Sequence, residues 1–111
     1  IPGLDYTRDY LDARDVCADL ALLARCPWSD GFSVVNVCSG APTTIRDLLR
    51  LVLMSIRPAS AEHEVAAATA APGRPDDVDW VVGDPGRFEL ITGARTQRIP
   101  LSRTVADAVV A

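Results

Sequence analysis

Two arginines in this 111-residue chain stand where the backbone on either side is constrained. Arg8 opens Arg8-Asp9-Tyr10, between a mixed stretch with strand character and the start of a helical pattern. Arg74 lies between Gly73 and Pro75, which hold the backbone on a defined, non-helical path. A guanidinium is planar, keeps its charge and donates two parallel hydrogen bonds, so two of them on a rigid frame would clamp a diphosphate. Asp77, three residues after Arg74, is spaced to accept hydrogen bonds from ribose hydroxyls. On composition alone the plainer reading is favoured, in which each arginine is a surface ion-pair partner.

Other reactive groups offer less. Cys17, Cys26 and Cys38 are odd in number and contain no C-x-x-C pair, which argues against a disulfide framework or a zinc site. Free, buried thiols in a reducing cytoplasm are the expectation. The one histidine, His63, falls in the Ala-rich stretch 59–71 and reads as a solvent-exposed loop residue. There is no lysine, so no Schiff base, lysine-assisted proton transfer or Walker-type phosphate lysine can come from this chain. Asp12, Asp15 and Asp19 share one flank of a helical pattern. They read as a capped, solvated face rather than as metal ligands. Asp76, Asp77 and Asp79 are neighbours, but adjacent carboxylates alone do not make a cation cage. Cys38-Ser39-Gly40 is a glycine turn without the G-x-G-x-x-G spacing that lets backbone reach a dinucleotide pyrophosphate.

The elements that must carry these residues follow from pattern. Tyr6–Leu11 reads as a short strand. Asp12 then caps a helix whose apolar positions are Ala13, Val16, Cys17, Leu20 and Ala24, with Asp15 favoured near the positive end of the dipole. Arg25–Gly31 reads as a loop. Phe32–Val37 is almost continuously apolar, as a buried parallel strand would be. Thr44, with Asp47 three residues on, forms a capping-box pattern before a helix striped by Ile45, Leu48, Leu49, Val52 and Ile56. Leu51, Leu53 and Met54 widen that stripe, and Pro58 stops the helix. The Ala-rich stretch 59–71 reads as a connection with a weak strand at Glu64–Ala68. Val78–Val82 is extended. Asp84 and Pro85 open a short helix with Phe88, Leu90 and Ile91 inward and Gly93 at its end. A last helix follows Ile99-Pro100-Leu101, with Val105, Val109 and Val110 as its apolar side. Strand, glycine turn and helix in succession predict an α/β unit.

Composition sets the frame. The chain is 49% hydrophobic and 23% charged, with net charge −4 and pI about 4.7. It is long enough for one domain, residues 1–111, and too short for a second with its own cofactor fold. Area scaling gives about 6,000 Å² of folded surface against about 17,000 Å² unfolded, so one core is expected. The acidic balance excludes the basic stripe of a nucleic-acid binder. No apolar run reaches membrane-span length, and no signal-peptide pattern opens the chain, so a cytoplasmic location is expected. A mean hydropathy of +0.15 in so small a chain predicts apolar surface meant for a neighbour.

The order of the pieces carries a resemblance. Arg8-Asp9-Tyr10-Leu11-Asp12-Ala13-Arg14-Asp15-Val16, Asn36-Val37-Cys38-Ser39-Gly40, Thr44-Ile45-Arg46-Asp47-Leu48, Arg74-Pro75-Asp76-Asp77-Val78 and Val82-Gly83-Asp84-Pro85 follow one another, then Thr92-Gly93 and Ile99-Pro100-Leu101. The whole resembles the C-terminal, substrate-binding part of extended short-chain dehydrogenases/reductases (the NAD-dependent epimerase/dehydratase family). It is most similar to GDP-mannose 4,6-dehydratases and GDP-4-keto-6-deoxymannose reductases. The resemblance implies an α/β substrate-binding portion without the main Rossmann domain. It implies that Arg8 and Arg74 contact the diphosphate of a nucleotide sugar and that Asp77 reaches the nucleoside ribose. It further implies a cytoplasmic oxidoreductase or lyase, dimeric in its whole form, using NAD(P). This chain departs from the pattern at Ala94, where the family has tryptophan, and its stretch 59–71 matches nothing in it. It also lacks the glycine-rich fingerprint and the Tyr-x-x-x-Lys pair. The expectation is therefore a chain that binds nucleotide sugar, holds no cofactor alone and is inactive alone, its partner being a missing Rossmann domain or a second copy. The alternative is a non-enzymatic interaction module derived from the same fold.

Overall fold

Each element begins where a side chain gives the backbone a reason to turn. In the computed structural model, which describes residues 1–27, 31–94 and 98–110, strand β1 spans Thr7–Asp9 and helix α1 spans Ala13–Arg25. The Asp12 carboxylate caps α1, accepting from the Arg14 N–H at 2.8 Å. Strand β2, Pro42–Thr44, runs antiparallel to β1, with Thr7 opposite Thr44, Arg8 opposite Thr43 and Asp9 opposite Pro42. Thr44 then caps helix α2, Ile45–Ile56, its hydroxyl accepting from the Asp47 N–H at 3.0 Å. The helix gives out at Arg57 because the residue before a proline, here Pro58, is pushed away from helical angles.

The alanine-rich stretch is neither a connection nor a strand. Ala61–Ala67 forms helix α3, since alanine has the highest intrinsic helix propensity and this segment has a core to lie on. Ala61 and Val65 turn inward against Leu53, with Leu49 partly buried beside them. His63 is solvent-exposed, as expected, but on a helix. Helix α4, Gly86–Thr92, starts after Pro85, and the Asp84 carboxylate accepts from the Gly86 N–H at 2.8 Å. It ends on Gly93, whose φ of +66° is the left-handed conformation glycine adopts without penalty. Helix α5, Leu101–Val110, closes the chain and packs on α2.

Several expected faces are turned round. Phe88 is buried in α4, but Leu90, two positions on and so on the far side of the helix, is exposed. Val105 is buried in α5, whereas Val109 and Val110 face solvent. In α2 only Leu53 is fully buried, and Met54 and Ile56 are exposed. Phe32–Val37 forms no ladder, and Val34 is more than half exposed. A strand exists only through a neighbour's backbone, and here the contacts come through side chains, with Arg87 donating to the Val34 carbonyl at 3.0 Å. The extended segment at 79–81 makes a single parallel bridge to β1, from the Thr7 N–H to the Asp79 carbonyl (2.8 Å) and from the Val81 N–H to the Thr7 carbonyl (3.0 Å). The loop predicted over 25–31 falls partly outside the described residues.

The result is an open body. Its accessible surface is 7615 Å², against about 6,000 Å² for a self-contained protein of this mass. Its radius of gyration is 17.0 Å, where about 13 Å is usual for this length. The core is correspondingly thin. No described helix is long and apolar enough to cross a membrane.

Candidate functional site

The molecule is held together by carboxylates. Asp9, the last residue of β1, accepts four hydrogen bonds: from the N–H groups of Ser39 (2.9 Å), Gly40 (2.9 Å) and Gly83 (3.1 Å), and from the Ser39 hydroxyl. Burial alone would push its carboxyl up, but these donors outweigh burial and hold it below its ordinary value. The glycine turn at Cys38–Gly40 therefore spends its amides on Asp9. It does not offer them to a phosphate, so these residues do not fit the pyrophosphate of a dinucleotide. Gly83 is required by space, because a Cβ there would stand 2.5 Å from the Cβ of Cys38.

Asp12, Asp15 and Asp19 are not a solvated face. All three are buried, Asp19 completely. Asp12 takes the Thr104 hydroxyl (2.7 Å) as well as the Arg14 guanidinium, Asp15 takes the Ile99 N–H (2.8 Å), and Asp19 pairs with Arg98 at 2.6 Å. Arg98 also donates to the Cys38 carbonyl at 3.0 Å. One side of α1 is thus a polar seam gripping residues 98–104. The expected apolar side of α1 faces out instead, with Cys17, Leu20 and Ala24 exposed. Cys38 is the buried thiol, and burial followed by the Asp9 charge pushes its pKa up, leaving it a poor nucleophile.

The three residues singled out for diphosphate and ribose gather around Tyr6 and the turn at Arg74. Arg8 sits half-buried on β1, donating to the Thr7 carbonyl at 2.9 Å, with its guanidinium carbon 5.4 Å from the centre of the Tyr6 ring. Arg74 is exposed at the head of a turn closed by Asp77. The Asp77 carboxylate accepts from the Arg74 N–H at 3.1 Å, and the Asp77 N–H donates to the Arg74 carbonyl at 3.0 Å. Asp77 thus uses one carboxylate oxygen to shape the Arg74 turn, a role that spacing alone did not suggest. The ring of Tyr6 lies directly against Gly73 and against Gly3. Tyr6 thereby touches both the Arg8 side and the Arg74 turn. Its importance went unread in the sequence; the signal was a glycine on each side of one aromatic in the fold.

Ion pairing divides the described arginines, with Arg8 and Arg74 falling beside Arg25 and Arg87 on the side without a carboxylate partner. Arg14, Arg46, Arg50, Arg57, Arg98 and Arg103 all make ion pairs. Among the described residues, neither Arg8 nor Arg74 has a carboxylate on its guanidinium. Burial pushes the neighbouring Tyr10 hydroxyl up in pKa, and the Arg8 charge opposes it.

No family model matches the chain. Solved structures share its fold, among them RMD and TunA. RMD from Pseudomonas aeruginosa, complexed with NADPH, is 25% identical with a TM-score of 0.71, over 96% of this chain and 32% of that one. TunA, an NAD-dependent NDP-hexosamine 5,6-dehydratase of tunicamycin biosynthesis, is 24% identical with a TM-score of 0.68, over 92% of this chain and 30% of that one. The chain spans about a third of the length of these structures. Among the described residues, five helices and a two-stranded sheet make a small mixed α/β unit with the fold of one part of the extended short-chain dehydrogenases/reductases.

Proposed function

We propose that this chain is the nucleotide-sugar-binding part of an NAD(P)-dependent nucleotide-sugar dehydratase or reductase, with a GDP-sugar as the ligand. Arg8 and Arg74 would grip the diphosphate, and Asp77 would accept from the nucleoside ribose with its remaining carboxylate oxygen. The observation that carries this reading is that Arg8 and the Arg74 turn meet the same Tyr6 ring, and that neither guanidinium has a carboxylate partner among the described residues. Two cations without carboxylate partners gain most from an anion that takes both, and a diphosphate has the charge and reach to do so. The fold likeness supports the same class: one neighbour is an NDP-hexosamine dehydratase and the other was solved with NADPH.

On this reading the chain orients the sugar toward a nicotinamide held by the rest of a larger fold. That group supplies the hydride, and these residues supply charge and position. The open surface is consistent with a body whose apolar faces, including Leu20, Phe32 and Val34, are covered by that larger fold. Alone, the chain would bind nucleotide weakly and turn nothing over.

Calorimetric titration with GDP and GDP-mannose tests the grip. Binding is expected to weaken as salt rises and to fall at least about tenfold in the double variant Arg8→Ala, Arg74→Ala. Equal binding by the wild type and that variant removes the reading. A chain that associates with itself or a partner, yet ignores nucleotides, is instead the interaction module.

A further inference from the structure

We propose that Tyr6 is a positioning residue that sets the spacing between the Arg8 and Arg74 guanidiniums, so that the edge selects diphosphates over monophosphates. This inference rests on the proposed function and adds to it a residue that neither the charge pattern nor the fold likeness assigns.

The geometry is a stack through one side chain. The Arg8 guanidinium lies over the Tyr6 ring at 5.4 Å from its centre, within cation–π range. The hydroxyl end of the same ring carries Gly73: a Cβ at that position would meet the Tyr6 hydroxyl oxygen first and stand 2.9 Å from both Cε2 and Cζ. Gly73 is therefore pressed onto the phenol, and Arg74 is the next residue along. A second glycine, Gly3, closes the ring's other margin, where a Cβ would stand 2.9 Å from Cδ2. The Tyr6 N–H donates to the Gly3 carbonyl at 2.9 Å, and the Gly3 N–H donates to the Ala71 carbonyl at 3.2 Å. The tyrosine is thus fixed to the chain that leads into Gly73 at both its backbone and its ring. Among the described residues, the Arg8 guanidinium otherwise holds its neighbour's carbonyl alone and the Arg74 side chain has no hydrogen bond.

Two cations at a set distance reward a ligand that bridges them, because the second contact is made at high effective concentration. A monophosphate engages one guanidinium at a time and gains little from the spacing. Tyr6 consequently acts on the ratio of diphosphate to monophosphate affinity rather than on charge.

The test measures GDP and GMP affinity for the 111-residue chain by calorimetry in wild type, Tyr6→Phe, Tyr6→Leu, Gly73→Ala, Arg8→Ala, Arg74→Ala and the arginine double variant. Tyr6→Phe, which keeps the ring, is expected to bind GDP within about twofold of wild type. Tyr6→Leu and Gly73→Ala are each expected to lose about tenfold for GDP and less than about twofold for GMP, and to make the two arginine substitutions additive where they are coupled in wild type. Far-ultraviolet circular dichroism checks folding. If Tyr6→Leu does not fold, Gly73→Ala decides, since it displaces the ring while keeping it. Full GDP affinity in a folded Tyr6→Leu or Gly73→Ala overturns the positioning role. So does an equal loss for GDP and GMP. If the arginine variants themselves bind GDP like wild type, the proposed function fails, and this inference with it.

Discussion

Two edges of this small protein use charge in opposite ways. Around α1 and the Asp9 loop, carboxylates are drawn inward and each is matched by donors: Asp9 by three amides and a hydroxyl, Asp15 by the Ile99 amide, Asp19 by Arg98. At the Tyr6 edge, Arg8 and Arg74 are left half-exposed or exposed and unmatched. A protein with little apolar core must hold its loops by directed polar contacts, and it can do so only where every buried charge is met. The edge without partners contributes little to stability, which frees it to bind. The contrast separates cement from site more clearly than charge counting does, since both edges contain Arg and Asp.

That contrast can be broken most violently at Arg98. Arg98→Ala removes the 2.6 Å ion pair from the wholly buried Asp19 and should cost about 3–5 kcal/mol, enough to unfold much of a marginal domain in a urea titration. Asp9→Asn comes next. It keeps the shape but weakens the bonds to Ser39, Gly40 and Gly83, with an expected loss of about 2–3 kcal/mol in the same assay. By contrast Arg8→Ala with Arg74→Ala should leave the urea midpoint nearly unmoved, within about 0.5 kcal/mol, while nucleotide affinity falls. A large loss of stability there would make these arginines cement as well.

Acid sharpens the same division. Asp9 and Asp12 are both held below their ordinary value of 3.8 in the folded chain, Asp9 by its donors against burial and Asp12 chiefly by Arg14 and Thr104. A carboxyl depressed on folding stabilises fully above its unfolded pKa, and that contribution is lost as pH falls toward the folded value. The urea midpoint should therefore be flat from about pH 7 to 5 and drop below about pH 4. In Asp9→Asn the drop should be shallower. The smallest effect is expected on the outer side of α1, where Leu20→Ala should shift stability by less than about 0.5 kcal/mol because the side chain is already more than half exposed.

Local signals read well in this chain. The caps at Asp12 and Thr44, the stop at Pro58 and the left-handed end at Gly93 are all where residue type put them, while α4 starts one residue late, at Gly86, with Pro85 and not Asp84 as its N-cap. The strand at Thr7–Asp9 was equally legible. What misled was facing. Periodicity marks an apolar stripe on α1 but does not say whether this chain has anything to lay against it, and here it is the aspartate stripe that meets residues 98–104. The same holds for Phe32–Val37, whose strand character needs a neighbour that the described residues do not supply. The run 61–67 was misread because its alanines were taken as filler, although Ala61 and Val65 fit Leu53.

The candidate site divides along the same line. By itself the sequence determined that Arg8, Arg74 and Asp77 are present, that no lysine can replace them and that glycine and proline confine the Arg74 turn. Only tertiary structure decided which arginines would be neutralised, because an ion pair depends on a carboxylate from a distant part of the chain, as Asp19 reaches Arg98 across 79 positions. Only tertiary structure, likewise, put the Tyr6 ring between Arg8 and Gly73, since close packing on a glycine is a property of two surfaces and not of either segment alone.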